Sequence, residues 1–118
     1  MKTLGLFLLP LLLAVSASAA SVRYLAGGWT PIKNLNDKHV IDIANFAVSE
    51  YNNNANSLAK LALSKVLKGE TQVVAGINYK LVIETKSDKG VVRNYEVIVW
   101  EKEWEKFRQL TSFKPVKS

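Results

Sequence analysis

Two runs in the second half of the chain constrain its fold more than any other feature. Ile77, Tyr79, Leu81 and Ile83 alternate with Asn78, Lys80, Val82 and Glu84, and Tyr95, Val97 and Val99 alternate with Asn94, Glu96, Ile98 and Trp100. A period of two puts successive side chains on opposite faces, so each run predicts a half-buried strand. Ser87-Asp88-Lys89-Gly90 predicts the turn between them. Another turn is expected over residues 102–105, and Phe107, Leu110 and Phe113 mark a last strand that Pro115 ends.

The first half carries the other period. Val40, Ile41, Ile43, Ala44, Ala47, Val48 and Tyr51 fall on one stripe of a helical wheel, opposite Lys38, Asp42, Asn45, Ser49 and Asn52. Asn36 or Asp37 can cap this helix, which is expected to reach about Ser49 or Tyr51 before Asn52-Asn53-Asn54 ends it. One helix followed by strands is an α+β antiparallel meander with its sheet packed on the helix. Residues 58–68 are ambiguous: Leu58, Leu61, Ala62, Val66 and Leu67 would fit a second helix, which propensity favours, while alternation through Leu61, Leu63 and Leu67 with lysines between fits a strand less cleanly.

The chain opens Met-Lys-Thr, continues apolar over residues 4–15, and reaches the small residues Ala17-Ser18-Ala19. That order predicts a secretory signal peptide over residues 1–19, too short an apolar run for a bilayer span. Residues 20–118 then form a single domain routed to the extracellular space or the vacuole. There is no cysteine, so the domain is held by its core without disulfides. Loss of Lys2 with the leader lowers the net charge from +6 to +5. The lysines stand singly among strand residues without an aromatic and arginine platform, so neither nucleic acid nor membrane is expected as a partner.

Catalysis has little to work with. His39 is the only histidine, expected on the polar side of the helix's first turn as an ordinary solvent-facing residue. With no cysteine, cysteine–histidine chemistry is excluded, and no histidine-rich metal site or glycine-rich phosphate loop is present. The acidic residues, Glu101 and Glu103 among them, are interleaved with lysines and read as surface charge. No enzyme activity, cofactor, metal or small-molecule substrate is expected.

Three features remain that a protein could present. Gln72-Val73-Val74-Ala75-Gly76 reads as a turn whose tip is apolar where most exposed turns are polar, which suggests a surface meant to be covered. Gly27-Gly28 follows the apolar Leu25-Ala26 in an N-terminal arm and lets another backbone approach closely. Trp104 sits in the turn at 102–105. Alternate turns of a meander share an end, so the turns at 72–76 and 102–105 are expected side by side, an indole next to an apolar loop.

These residues resemble the plant cystatins, secreted inhibitors of papain-like cysteine proteases. Gly27-Gly28 stands where that family keeps its N-terminal glycines, and Gln72 to Gly76 matches its Gln-x-Val-x-Gly hairpin. Ile43-Ala44-Asn45-Phe46-Ala47-Val48-Ser49-Glu50-Tyr51-Asn52 resembles its helix signature. The segment 94–113, with Val99-Trp100 and Trp104, resembles its later strands and second hairpin. The resemblance implies the cystatin fold, a five-stranded antiparallel sheet wrapped around one long helix. Residues 29–34 would be the first strand and 58–68 the second. It also implies a protease-binding set of Leu25, Ala26, Gly27, Gly28, Gln72, Val73, Val74, Ala75, Gly76, Glu103 and Trp104, entering a protease cleft reversibly and in competition with substrate. One departure is plain: Glu103 precedes Trp104 where the family usually has proline. The alternative is a non-inhibitory, basic binding module on the same scaffold.

Overall fold

The computed structural model describes residues 28–54 and 59–117. The leader over residues 1–19, the arm residues Leu25, Ala26 and Gly27, and residues 55–58 lie outside the described residues. The elements run β1 (Trp29–Pro31), α1 (Lys38–Asn54), β2 (Leu61–Val74), β3 (Gly76–Ser87), β4 (Val92–Lys102), a 3₁₀ turn (Glu103–Glu105) and β5 (Phe107–Pro115). All five strands form one sheet in the order β1-β2-β3-β4-β5, with antiparallel neighbours throughout.

The helix begins where the sequence offers a cap. Asp37 Oδ2 accepts the His39 amide at 3.1 Å and its carbonyl accepts Ile41 N at 3.0 Å, satisfying backbone groups that a helix start leaves open. Val40, Ile43, Ala44, Ala47 and Val48 are buried, and Ile41 and Tyr51 half-buried, as the stripe predicts. The two alanines let the helix lie against the inner face of the sheet, where Tyr79, Leu81, Ile83, Tyr95, Val97 and Val99 complete the core. The helix runs to Asn54, about one turn beyond expectation. Asn52 lies inside it and is half-buried: its side chain donates to Leu61 O and accepts from Leu61 N, both at 2.9 Å. It thus serves as a strand-like partner for the start of β2.

Residues 61–68 are strand, and the pairing explains their unclear period. The register against β3 slips between Leu63 and Lys65 and again between Val66 and Lys68, so Ser64 and Leu67 are inserted residues. A bulge moves each following side chain to the other face, which erases a period of two. Beyond the bulges β2 pairs regularly, and buried Gly69 admits the chain that leaves β1. A Cβ on Gly69 would stand 2.8 Å from Ile32 Cδ1 and 2.9 Å from Leu81 Cδ2. The first strand is shorter than the expected 29–34. After Pro31 only Ile32 N still bonds across, to Gly69 O at 2.9 Å, and Asn34 turns the chain by accepting the Asn36 amide on Oδ1 at 3.0 Å.

Candidate functional site: the paired hairpin end

The register brings the sequence-predicted features to one end of the sheet. Trp29 pairs with Gln72, so Gly28 stands beside the first hairpin. Val74 pairs with Gly76 around a tip of the single residue Ala75. Ile77 pairs with Glu101, and Lys102 with Phe107 across the second hairpin. Gly28, Gln72, Val73, Val74, Ala75, Gly76, Glu103 and Trp104 therefore share an end. Leu25, Ala26 and Gly27 lie outside the described residues.

The first hairpin is rigid for identifiable reasons. Gly76 has φ +94°, a conformation that side chains disfavour, and a Cβ there would lie 2.2 Å from Glu101 O. The tip is also fastened sideways: Trp100 Nε1 donates to Ala75 O at 2.7 Å. Gln72 Oε1 accepts from Asn78 Nδ2 at 2.8 Å across the strand pair. Against this framework Val73 is left 62% exposed.

The second hairpin is a 3₁₀ turn closed by Lys106, whose φ of 51° is left-handed and whose amide donates to Glu103 O at 3.0 Å. Lys102 props its base, with Nζ 4.8 Å from the Trp100 ring, 4.7 Å from the Phe107 ring and 3.2 Å from Glu105 Oε1. Trp104 projects from this turn 68% exposed. Two large apolar side chains thus stand in water on neighbouring, braced hairpins, the arrangement of a surface built to be covered.

Behind the second hairpin, two expectations need correcting. Glu101 is not surface charge: it is 6% exposed on the inner face of β4. Its Oε2 accepts from Arg108 Nε at 2.8 Å and its Oε1 lies 2.7 Å from His39 Nε2. His39 is correspondingly half-buried rather than solvent-facing: its ring lies against the sheet, where it meets Glu101 and, at 5.8 Å, the Tyr79 ring. Arg108 extends the chain of contacts to Asp42 at 3.1 Å. Burial works against ionised Glu101, but the hydrogen bonds from His39 and Arg108 outweigh it and hold its carboxyl below the ordinary value of 4.5. Burial, then the charges of Glu101 and Glu103, push the Tyr79 phenol up to about 12. Among the described residues, one group brings three metal-ligating side chains together: His39, Glu101 and Glu103, with donor atoms within 4.8 Å of one another.

Sequence reasoning missed Trp100, His39 and Arg108. Trp100 had one available signal, a large indole at an outward strand position just before a hairpin. The His39–Glu101 contact joins residues 62 apart in the chain and has no local signature.

Comparison with known proteins identifies this architecture. The crystal structure of a salivary cystatin from the soft tick Ornithodoros moubata superposes with a TM-score of 0.67, covering 79% of this chain and all of that one at 23% identity. Five antiparallel strands around one helix, with two hairpins sharing an end, are thus the cystatin fold. Residues 32–116 match the family model described as "SQAPI: Aspartic acid proteinase inhibitor". "Cysteine proteinase inhibitor 1" of Actinidia chinensis var. chinensis is 56% identical over 94 residues, 80% of this chain and 78% of that protein. "Cysteine proteinase inhibitor 5" of Arabidopsis thaliana is 46% identical over 114 residues, 97% of this chain and 92% of that protein. The chain belongs to the plant cystatins, a family of protease inhibitors and not of enzymes.

Proposed function

We propose that the protein is a secreted, reversible, competitive inhibitor of papain-like cysteine proteases. The first hairpin enters the centre of the cleft, Trp104 packs beside it, and the arm before Gly28 follows the non-primed side, with Leu25 or Ala26 in an apolar pocket. The observation that carries this reading is the fastening of the two hairpins to each other. Trp100 bonds to Ala75, and Gly76 packs on Glu101, with Val73 and Trp104 exposed alongside. A preformed surface loses little conformational entropy on docking, which supports tight binding without a covalent step.

The matching family model names the aspartic class, and the relatives are named for the cysteine class. The intact Gln72-Val73-Val74-Ala75-Gly76 motif favours the latter. Titrating papain and, in parallel, pepsin with the purified chain tests this. Papain activity is expected to fall to zero near equimolar inhibitor while pepsin is unaffected; undiminished papain activity in molar excess of the chain overturns the reading. Val73→Asp, an exposed change that leaves the core untouched, is expected to weaken papain inhibition by more than about 30-fold. Secretion is tested separately by expressing the full chain in plant cells and sequencing the N-terminus of the recovered protein, expected near residue 20.

A further inference from the structure

We infer that His39, Glu101 and Glu103 form a binding site for a single divalent cation of zinc type, at the base of the second hairpin. The three donors come from three separate elements: the first turn of α1, the end of β4 and the 3₁₀ turn. His39 Nε2 lies 2.7 Å from Glu101 Oε1 and 3.5 Å from Glu103 Oε2. Donors around a tetrahedral zinc, at bonds of ~2.0–2.1 Å, stand ~3.3 Å apart. The His39–Glu103 separation is close to that and the His39–Glu101 pair opens by a fraction of an ångström, while the two carboxylates, whose donor atoms lie within 4.8 Å, are brought together by the exposed Glu103 side chain.

One imidazole and two carboxylates are the mixed nitrogen and oxygen set that such an ion takes, with a fourth position left to water. The support behind the ligands is also in place. Arg108 holds Glu101 by its other oxygen, Oε2, which fixes the buried carboxylate while leaving Oε1 for the ion. The three residues line one surface cleft together with Phe46, Lys106 and Arg108, so the ion has a path of entry. Arg108 and Lys106 are the opposing charges. Arg108 is already engaged by Glu101 and Asp42, leaving Lys106 as the cation that lowers affinity.

Binding balances in protons: the His39–Glu101 contact places one proton between Nε2 and a carboxylate oxygen, and that proton moves to Nδ1 or leaves to solvent as the ion takes its place on Nε2. Glu103 is the residue standing where the family usually has proline, so the site belongs to this chain's own departure from the pattern. Because Glu103 is bonded directly to Trp104, an ion held there fixes the turn that presents the exposed indole. The inference stands apart from protease inhibition, since it is read without any protease.

Tag-free protein in chelator-treated buffer at pH 7.5 is titrated with Zn²⁺ by calorimetry and by tryptophan fluorescence. One ion per chain is expected, with a change in tryptophan emission. Glu103→Gln, at a 73% exposed position that does not threaten the fold, should weaken binding by about 10-fold or more, and His39→Ala by about 100-fold. Glu105→Gln, in the same turn but outside the group, should bind as the unaltered protein does. Absence of binding at millimolar Zn²⁺ overturns the inference. So does binding that Glu103→Gln leaves unchanged, which assigns the ion to another surface.

Discussion

The indole nitrogen of Trp100 donates to the carbonyl oxygen of Ala75 at 2.7 Å, joining the fourth strand to the tip of the first hairpin. Ala75 is the one residue at that tip without a strand partner, so this bond sets its position. In Trp100→Phe the ring contact with Phe107 can persist, but the donor is lost. A net hydrogen bond is worth ~0.5–1.5 kcal/mol. Papain inhibition is therefore expected to weaken by about 2- to 12-fold, chiefly through faster dissociation, with the circular dichroism spectrum unchanged. Unaltered dissociation kinetics would show that the tip holds its position without Trp100.

Gly76 allows no side chain. An alanine there would have to hold φ near +94° with its Cβ 2.2 Å from the Glu101 carbonyl oxygen. The unfavourable backbone alone costs ~1–3 kcal/mol, and backbone on both sides of the contact has little freedom to move. Gly76→Ala should lower the thermal midpoint by several degrees and weaken inhibition, because relief of the clash separates the two hairpins. Gly90→Ala is the matched control. It too has positive φ, at +83°, but nothing lies within 4 Å of its Cβ position. It should lower stability while leaving inhibition intact.

What the sequence showed and what it hid divide along physical lines. The helix and strands β3 and β4 were legible because each buries one continuous face, and the buried sets Ile43-Ala44-Ala47-Val48, Tyr79-Leu81-Ile83 and Tyr95-Val97-Val99 keep strict phase; β5, whose register slips at Thr111, was marked by Phe107, Leu110 and Phe113 instead. β2 was not legible, because the bulges at Ser64 and Leu67 reset its phase twice; the pattern left helix and strand open, and the family resemblance decided for a strand. The placing of the two hairpins together followed from counting turns, and the register bears it out. Contacts made by polar side chains across the fold left no trace in the order of residues. His39 on Glu101 is one, and Asn52 on Leu61 another.

Glu103 occupies a position that proline would suit. Lys102 before it is extended, at φ −125° and ψ 97°, outside the helical region that a following proline disfavours and near the extended range it prefers. Glu103 itself opens the 3₁₀ turn, where a fixed φ is preorganised. Glu103→Pro should therefore reduce the freedom of the turn without strain and raise stability by ~0.4–1 kcal/mol. It also removes an acidic group beside Trp104. Measured with chelator present, papain affinity is expected to rise several-fold. A loss of affinity would mean that the glutamate itself contacts the protease.

The Glu101 carboxyl links the helix, the last strand and the base of the second hairpin, and its ionisation couples to folding. Its folded-state value lies below the ordinary 4.5 because the His39 and Arg108 hydrogen bonds outweigh the effect of burial. The unfolded chain thus binds the proton first as pH falls. The stabilisation is fully present above about pH 4.5 and is lost as the pH drops through the depressed folded value. Glu101→Gln keeps the shape but removes the charge facing Arg108, which should lower stability at pH 7 by about 2 kcal/mol, as for a hydrogen bond to a charged group. The difference from the unaltered protein should then shrink below pH 4.5, where the native carboxylate is itself being neutralised. Urea unfolding midpoints at pH 7, 5, 4 and 3 measure this. A difference that stays constant across the series would show that packing, and not charge, is what Glu101 contributes.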